Sequence, residues 1–404
     1  MIWRGAFLQA AATAAGAAKT ALICLSYATL AFGIVFALAS IAGAAWLLRR
    51  ARARPAGAVL PPVTILKPLK GAERGLYENL ASFCEQDYPA LQMLCAVGSA
   101  DDAALPVVER LRRDFPHLDI RVVVSDGSIG SNPKINNISN AYPLAKHEIL
   151  LLSDSDIRVP RDFLRRAVAP FTEARVGLVT CFYRSVAAPG LWGPLEALAV
   201  NAQFLPQAML AGAAGLRFAM GAATLVRRSV FERAGGFAAL ADRLADDFAL
   251  GEIVTAAGFR IEFCDLVIES ICAEGSRLGD IFRHLVRWQR TVRLCNPAGY
   301  CGCAILHGFS LTTLTLALFG WNARLAALAA ALLGAKALAA VVLQRMAGAT
   351  ASPAALLWQA PSEWLACAAW LAGLAPGEVV WRGQRYRLIS QGRLIPLDTL
   401  VAAP

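Results

Sequence analysis

Charged side chains are scarce in this sequence of 404 residues. They make up 17% of the chain, while 57% of the residues are hydrophobic. This composition argues against an enzyme that is soluble along its whole length. Acidic residues are the rarer of the two charged classes, with 29 Asp and Glu against 39 Lys and Arg and a net charge of +10. Basic membrane proteins often hold such a surplus near anionic lipid headgroups.

Motifs for nucleic-acid binding and for structural zinc are also absent. No basic-aromatic motif, zinc-finger spacing or recognition-helix pattern accompanies the positive charge, so we expect no nucleic-acid partner. The ten cysteines include no CxxC pair and have no metal-type spacing with histidine. Most of them stand among apolar residues, as Cys95, Cys181 and Cys264 do. This pattern favours reduced thiols in a cytoplasmic setting.

Long apolar runs lie at both ends of the chain. Residues Thr20 to Leu48 are nearly uncharged and long enough to cross a hydrocarbon core of roughly 30 Å. Arginines follow directly from Arg49, so the positive-inside rule places the next residues in the cytoplasm. We therefore predict an uncleaved anchor. A cleaved signal peptide is the alternative, but the charges follow the apolar run rather than precede it.

The C-terminal part predicts two more spans, over residues 302–319 and 323–343, joined by a tight turn at Gly320. A further apolar stretch, 354–375, contains Glu363, which is costly in lipid unless it faces protein or water. This stretch is either a true span or a re-entrant or interfacial helix. The positive charge of the tail favours a cytoplasmic location, and this location favours the re-entrant interpretation.

Between these apolar ends, strands alternate with helices from Val63 to about Asn296. Short apolar runs predict strands over 63–66, 91–97, 120–124 and 148–153, with helical stretches over 76–84 and 105–115. Such alternation predicts an α/β domain with a mostly parallel sheet. The predicted parts are therefore an anchor with its basic flank (1–54), the cytoplasmic α/β domain (55–297), a membrane region (298–375) and a basic tail (376–404).

The most informative motif is Asp154-Ser155-Asp156, which ends the fourth predicted strand. Side chains alternate along a strand, so Asp154 and Asp156 project to the same side. Two carboxylates at the open end of a parallel sheet predict a site for Mg²⁺ or Mn²⁺, and a metal held there can grip a diphosphate. An exposed acidic turn is the alternative interpretation.

Two other segments favour a nucleotide site at the same edge. Asp102 follows the second predicted strand, where such sheets bind nucleotides, and its carboxylate can accept a hydrogen bond from uracil N3–H. It can equally cap the following helix. Lys134 lies in a loop of small residues, 130–137, that can approach a nucleotide-sugar. A plain loop with Asn-Pro turn chemistry is the alternative.

Two later segments supply candidate acceptor-side groups. Asp246 and Asp247 stand where a helix is predicted to start, so they are either helix-dipole partners or a general base for an acceptor hydroxyl. The basic stretch 283–293 has helical spacing. It is either a membrane-surface helix with snorkelling arginines or a segment whose Arg287 and Trp288 close over a diphosphate and an acceptor.

In this order, the motifs resemble those of the ceramide glucosyltransferase family, in which three separated aspartate motifs precede (Q/R)xxRW. The aspartates fall on Asp102, Asp154 and Asp247, and the last motif falls on His284-Leu-Val-Arg287-Trp288. His284 departs from the pattern, since Gln or Arg is usual there. Segments 66–71, 86–89, 132–137 and 381–388 also resemble the family, so the resemblance covers nearly all of the folded chain.

The resemblance implies a membrane-bound, inverting glycosyltransferase with a GT-A type domain on the cytoplasmic face of a bacterial-type inner membrane. It implies a UDP-sugar donor, a divalent metal (Mg²⁺ or Mn²⁺) and a membrane lipid acceptor, with glucose and ceramide favoured. Bacterial enzymes that add N-acetylglucosamine to hopanoid lipids are the alternative, because they resemble segment 240–247 and the His-x-x-Arg-Trp variant. A processive polysaccharide synthase is the third reading, but two spans after the α/β domain are few for a polymer channel.

The resemblance also implies a role for each matching residue. Asp247 is the expected general base, and Asp154 and Asp156 are the expected metal ligands. The expected nucleotide-sugar-binding residues are Lys67, Asp102, Lys134 and Asp154. The residues expected to contact the diphosphate or the acceptor are Asp246, His284, Arg287 and Trp288.

Overall fold

An eight-stranded mixed sheet forms the centre of the α/β domain in the computed structural model, which describes residues 2–53, 60–273, 277–350, 357–381 and 384–397. The sheet order is β3-β2-β1-β4-β7-β6-β8-β5. Its strands are β1 (Val63–Pro68), β2 (Leu91–Val97), β3 (Asp119–Val124), β4 (Ile149–Ser153), β5 (Ile157–Arg158), β6 (Val176–Val186), β7 (Ala223–Arg227) and β8 (Arg260–Ile271). Residues 54–59, where the predicted anchor flank meets the α/β domain, lie outside the described residues.

Helices cover both faces of this sheet. They are α2 (Leu76–Cys84), α3 (Leu105–Asp114), α4 (Pro133–Ala141), α5 (Phe163–Val168), α6 (Gly193–Leu198), α7 (Leu205–Ala213), α8 (Arg228–Arg233) and α9 (Asp246–Ala256). Helix α10 (Leu278–Cys295) follows β8 and packs against the C-terminal part of the chain. A π-helical segment, Ala199–Phe204, joins α6 to α7. The four predicted strands and the two predicted helices all form, within two residues of their predicted ends.

The apolar runs arise because the central strands are buried on both faces. Ile65 and Leu151 pack into one core, whereas Leu66 and Leu150 pack into the other. A strand covered on both faces reads as a continuous apolar run rather than as an alternating one. The neighbours β1–β2, β2–β3, β1–β4 and β6–β8 are parallel. Strand β7 pairs antiparallel with both β4 and β6, so the sheet is mostly parallel but mixed.

In the part of the chain that the structure describes, three helical segments are long and apolar enough to cross a membrane, namely Thr13–Arg52, Pro297–Phe319 and Ala323–Met346. The first lies within α1 (Ile2–Arg52), and the last is α13. The middle one comprises α11 (Pro297–Gly302), a 3-10 turn and α12 (Gly308–Phe319). Helix α1 packs against α7, α12 and α13, which joins these apolar helices to the α/β domain.

The last apolar stretch forms α14 (Gln359–Leu374), whose 16 residues are fewer than the about 20 that a span needs. Residues 351–356 lie outside the described part, so the re-entrant interpretation of this stretch stays a prediction. A small antiparallel sheet follows, with the order β11-β10-β9. Its strands are β9 (Glu378–Trp381), β10 (Gln384–Ile389) and β11 (Arg393–Pro396), and this tail sheet was not predicted.

Candidate active site

Four aspartates meet at the carboxyl end of β4. Asp154 directly follows that strand, and its amide donates to the carbonyl of Ala222 at 3.2 Å. Asp156 precedes β5, and its Oδ2 accepts from the Ser270 hydroxyl at 2.7 Å. Asp246 and Asp247 are the first two residues of α9. The sheet therefore brings together acids that are separated by about ninety positions of sequence.

Lys134 binds two of these acids. Its ammonium lies 2.9 Å from Asp154 Oδ1 and 3.0 Å from Asp246 Oδ2, and its side chain is 10% exposed. The side chain of Asn132 caps α4 by accepting from the Ile135 amide at 3.1 Å, which fixes the first turn that carries Lys134. Burial lowers the pKa of Lys134, but the charges of Asp154 and Asp246 outweigh burial and hold it above its ordinary value.

Gly221 shows that Asp154 and Asp247 face one small space. A Cβ atom at this glycine would lie 3.2 Å from Asp247 Oδ2 and 3.8 Å from Asp154 Oδ2. The other oxygen of Asp247, Oδ1, accepts from the Phe248 amide at 2.8 Å. Asp247 Oδ2 is therefore the oxygen that points toward the remaining acids, and the absence of a side chain at Gly221 keeps that space open.

Negative charge exceeds positive charge in this cluster. Burial, reinforced by the charge of Asp154, raises the pKa of Asp156 to about 6. Burial, reinforced by the charge of Asp246, raises the pKa of Asp247 to about 6. Asp246 also has a raised pKa because of burial, although Lys134 opposes that effect. A carboxyl group with a pKa near 6 is well placed to accept a proton at neutral pH.

The donor set fits a divalent cation that also binds a substrate phosphate. Among the described residues, no three His, Cys, Asp or Glu side chains form a group that could hold a metal alone. Mg²⁺ commonly takes only one or two carboxylates from the protein and completes its shell with water and phosphate oxygens. Asp154 and Asp156 supply two such carboxylates. Burial first and the charge of Asp154 second raise the pKa of Asp156, and a cation at this position would favour its ionised form.

Lys67 and Asp102 occupy supporting positions in this structure. Lys67 is fully buried in β1, and its ammonium donates to Ser153 Oγ at 3.0 Å and to the Asp154 carbonyl at 2.8 Å. These two hydrogen bonds fix the carboxyl end of β4. Burial lowers the pKa of Lys67 to about 7. Asp102 Oδ1 accepts from the amides of Gly71 and Ala104, which ties the loop after β1 to the start of α3. Direct contact of either residue with a nucleotide-sugar stays a prediction.

The basic stretch forms α10, as predicted, but its arginines do not act as one cluster. Arg283 pairs with Asp280, and Arg290 donates to the Glu378 carbonyl in the tail sheet at 2.8 Å. His284 packs edge-on against Trp288, with ring centroids 4.7 Å apart, and its Nδ1 lies 3.9 Å from Glu196. Arg287 and Trp288 lie near the middle of this helix, and their contacts with substrate stay predictions.

Aromatic side chains that the sequence did not reveal connect α10 with the acids. The Trp288 ring lies 6.3 Å from the Phe204 ring, which lies 5.3 Å from the Tyr183 ring. Burial and the nearby charges of Asp247 and Asp156 raise the pKa of Tyr183. Tyr183 lies on β6 and Phe204 in the π-helical segment, so only the tertiary fold brings these rings together.

The tail sheet also supports the acid cluster. The Leu244 amide donates to the Gly392 carbonyl at 2.9 Å, and the Leu394 amide donates to the Asp242 carbonyl at 2.7 Å. Arg243 donates to the Gln391 carbonyl at 2.6 Å. These bonds hold the segment that leads into Asp246 and Asp247. Local sequence patterns did not indicate this support by the tail sheet.

The comparison with known families agrees with this geometry. The family model of glycosyl transferase family 21 matches residues 29–394. The chain belongs to this family. The match confirms the resemblance that the aspartate motifs and the Arg-Trp pair suggested.

Curated relatives point to the same group. The chain is 26% identical over 200 residues to ceramide glucosyltransferase 1 of Caenorhabditis elegans, covering 49% of this chain and 43% of that protein. It is 33% identical over 171 residues to a ceramide glucosyltransferase of Gibberella zeae, covering 38% of this chain and 32% of that protein. The chain thus spans less than half the length of these relatives.

A solved structure confirms the fold. A mannosyltransferase from Pyrobaculum calidifontis, solved in complex with GDP-Man and Mn²⁺, matches 87% of this chain and 97% of its own, with a TM-score of 0.51 and 21% sequence identity. The α/β domain therefore has the GT-A type fold that the sequence predicted, with apolar helices at both ends.

Proposed function

We propose that this chain transfers a hexose from a UDP-sugar to the primary hydroxyl of a membrane lipid, with inversion at the sugar carbon. Glucose is the proposed sugar and ceramide the proposed lipid. The observation that carries the proposal is the cluster of Asp154, Asp156, Asp246 and Asp247 around Lys134, at the sheet edge where α/β folds bind nucleotides. The family and the named ceramide glucosyltransferase relatives support the same reaction.

In the proposed reaction, Asp247 removes the proton from the acceptor hydroxyl. Its Oδ1 is held by the Phe248 amide, so Oδ2 takes the proton. The acceptor oxygen forms a bond to the anomeric carbon as the bond to the diphosphate oxygen breaks on the opposite face. UDP leaves with the bonding electrons, and inversion follows from this single displacement.

The other groups bind and orient the substrates. Asp154 and Asp156 would hold Mg²⁺ or Mn²⁺, which when bound neutralises charge on the departing diphosphate. Lys134 fixes the positions of Asp154 and Asp246. We assign Asp102 to the uracil end, and His284, Arg287 and Trp288 to the side where the diphosphate meets the acceptor. The buried Lys67 maintains the metal-binding strand end.

The proposed location is the cytoplasmic face of the membrane. Arg49, Arg50 and Arg52 end α1, so the positive-inside rule places the following α/β domain in the cytoplasm, where UDP-sugars are made. Residues 1–54 and 298–375 are then the membrane regions, with the catalytic domain over 55–297 and the basic tail over 376–404. A cysteine in an exposed loop of the α/β domain should resist a membrane-impermeant thiol reagent in intact cells, and labelling there would reverse the topology.

The deciding experiment is a transfer assay with the purified full chain in lipid nanodiscs. Radiolabelled UDP-glucose and UDP-N-acetylglucosamine are each offered with ceramide and with a polyhydroxylated hopanoid. Free UDP and lipid-bound label are both measured, and cleavage of the product by a β-glucosidase reports the configuration. We expect β-glucosylceramide. A hopanoid carrying N-acetylglucosamine would instead establish the alternative acceptor, and a water-soluble polymer would refute the lipid acceptor.

A further inference from the structure

A basic pocket with a volume of about 370 Å³ lies between α10 and the tail sheet. The charged side chains on its wall are Arg290 and Arg293 of α10 and Glu378 and Arg387 of the tail sheet. Arg290 and Arg293 are three positions apart, so they are neighbours on one side of the helix. The volume falls in the range of roughly 300–1,000 Å³ that is typical of ligand pockets.

Positive charge exceeds negative charge on the wall of this pocket. Glu378 is the one acid among the described residues that line it, and its carboxylate pairs with Arg385, which lies outside the pocket. Arg387 is opposite Glu378 in the sheet register. Among the described residues, however, neither Arg387 nor Arg293 makes an ion pair. Guanidinium groups match the geometry of phosphate oxygens, so this wall suits a phosphate group.

Two hydrogen-bond donors on the wall lack an acceptor. The Nε atoms of Arg290 and Arg293 are buried, and neither has a hydrogen-bond partner among the described residues. Arg290 Nη1 donates to the Glu378 carbonyl at 2.8 Å, which holds this guanidinium group against the tail sheet. A buried donor without an acceptor is costly and commonly indicates a bound ion or water. The oxygens of a phosphate group would supply acceptors beside both arginines.

Gly377 shapes this pocket by letting Arg290 lie directly against the backbone. A Cβ atom at Gly377 would lie 2.6 Å from Arg290 Cζ and 2.7 Å from Arg290 Nη1. Any side chain at this position would therefore displace the guanidinium group without removing its charge. The position of Arg290 can thus be changed while the net charge of the protein stays the same.

The pocket lies at the end of α10 that leads into an apolar helical segment. Arg293 stands four positions before Pro297, where the segment Pro297–Phe319 begins. When this segment crosses the membrane, Arg293 lies close to the membrane surface. Anionic lipids give the cytoplasmic surface its negative potential, and basic pockets at this level bind their headgroups. A lipid headgroup is therefore the nearest source of phosphate, and soluble phosphate is the other source.

We propose that Arg290, Arg293 and Arg387 bind a phosphate group, which the head of an anionic lipid in the cytoplasmic leaflet supplies. The bound phosphate would bridge α10 and the tail sheet, whose backbone bonds to residues 242–244 support the acid cluster. This inference is independent of the sugar, the acceptor and the reaction proposed above. It rests only on the position of Pro297–Phe319 in the membrane.

The test uses the full chain purified in detergent, without donor or acceptor. Short-chain phosphatidylglycerol, short-chain phosphatidylcholine and inorganic phosphate are titrated separately. Native mass spectrometry measures the bound lipid, and the melting temperature reports each ligand. We expect phosphatidylglycerol to bind most tightly and to raise the melting temperature. Arg293→Gln and Arg387→Gln should each weaken its binding roughly 5-fold, which is the contribution of about one cation near an anionic lipid surface.

Two further variants separate the pocket from the overall positive charge. Gly377→Ala should weaken phosphatidylglycerol binding by a similar factor, because it displaces Arg290 and leaves the net charge unchanged. Arg283→Gln is the matched control, because Arg283 lies on the same helix, pairs with Asp280 and does not line the pocket. It removes one positive charge and should leave phosphatidylglycerol binding unchanged. If Gly377→Ala does not fold, the two glutamine variants and this control still decide the matter.

Three outcomes would contradict the proposal. Equal weakening of phosphatidylglycerol binding by Arg283→Gln and Arg293→Gln would indicate diffuse attraction to the basic surface and would overturn it. Unchanged affinity in both Arg293→Gln and Arg387→Gln would also overturn it. Stabilisation by inorganic phosphate that Arg293→Gln removes, without any preference for phosphatidylglycerol over phosphatidylcholine, would support the phosphate site and refute the lipid source. Sugar transfer plays no part in these titrations, so a failure of the proposed function would leave their outcome unchanged.

Discussion

Replacing Asp247 with Asn should remove nearly all transfer while making the protein more stable. Asn keeps the shape of the side chain, and its carbonyl can still accept from the Phe248 amide that now binds Oδ1. The change removes only the basicity of the group. Asp246→Asn is the matched variant, because Asp246 is adjacent in sequence but pairs with Lys134 at 3.0 Å.

The catalytic loss can be estimated from the role of a general base. Such a group commonly contributes about 10²- to 10⁴-fold, which corresponds to about 3–5 kcal/mol of barrier. Asp247→Asn should therefore lower kcat by that factor and bind UDP normally. In the unmodified enzyme, kcat should fall as the pH falls through about 6, where Asp247 becomes protonated. The Asp247→Asn variant should not show this fall of kcat at acidic pH.

The stability gain follows from the cost of ionising Asp247. Burial raises its pKa from 3.8 to about 6. At neutral pH this shift lowers the free energy of unfolding by an amount on the order of 3 kcal/mol. Because the folded pKa lies above the unfolded one, the protein loses stability as the pH rises from about 4 to about 6. Asp247→Asn should thus melt higher than the unmodified protein at pH 7 in EDTA, with no difference near pH 4.

Asp246→Asn should behave in the opposite way. It leaves the buried Lys134 with Asp154 as its remaining partner, so the melting temperature should fall. Transfer should decline less than in Asp247→Asn. Thermal melting in detergent and release of UDP with ceramide present measure the two properties. Substantial turnover by Asp247→Asn together with an inactive Asp246→Asn would show that the two roles are exchanged.

Three further predictions concern the surroundings of the acids. Chelation with EDTA should abolish transfer, and Mn²⁺ or Mg²⁺ should restore it. Asp156→Ala should lose activity by orders of magnitude without unfolding. Full activity in excess EDTA would exclude a metal. Gly221→Ala places a methyl group 3.2 Å from Asp247 Oδ2. We expect kcat to drop by roughly 10- to 100-fold while the affinity for UDP stays unchanged. A normal kcat would show that the substrates do not occupy the space beside Gly221. Arg243→Ala removes a bond of 2.6 Å to the Gln391 carbonyl and should reduce kcat, whereas the exposed Arg385→Ala should not; equal effects would contradict a specific role of the tail sheet.

Local sequence patterns predicted the parallel half of the domain well. Strand β2 forms over the predicted Leu91–Val97, because a strand covered on both faces leaves a clear apolar run. Strand β1 continues beyond its predicted end at Leu66, through Lys67. A lysine normally ends such a run, but here Ser153 and the Asp154 carbonyl satisfy its ammonium. That compensation is tertiary, so the sequence alone does not reveal it.

The antiparallel half and the tail sheet depend on distant pairing. Strand β7 lies between β4 and β6, and its register sets Ala223 opposite Ser153. Strand β10 has the sequence Gln-Arg-Tyr-Arg-Leu-Ile, in which charged residues conceal the buried Tyr386. The acids were predictable because each follows a strand or begins a helix. Gly221, Ser270 and Tyr183 were not, because they reach the cluster only through the fold.

The arrangement explains how neighbouring aspartates can serve different purposes in one cluster. Burial raises the pKa of both Asp246 and Asp247, so burial alone does not distinguish them. A charged neighbour of only one of them is needed to give the two carboxyl groups different properties. Lys134 supplies that charge, because its ammonium lies 3.0 Å from Asp246 Oδ2 and 2.9 Å from Asp154 Oδ1 and opposes the effect of burial on the pKa of Asp246. Asp247 has no such close partner among the described ion pairs and retains a pKa near 6. In the proposed reaction, this buried lysine separates the acids that bind charge from Asp247, the acid proposed to accept a proton, which is the division that sugar transfer to an alcohol requires.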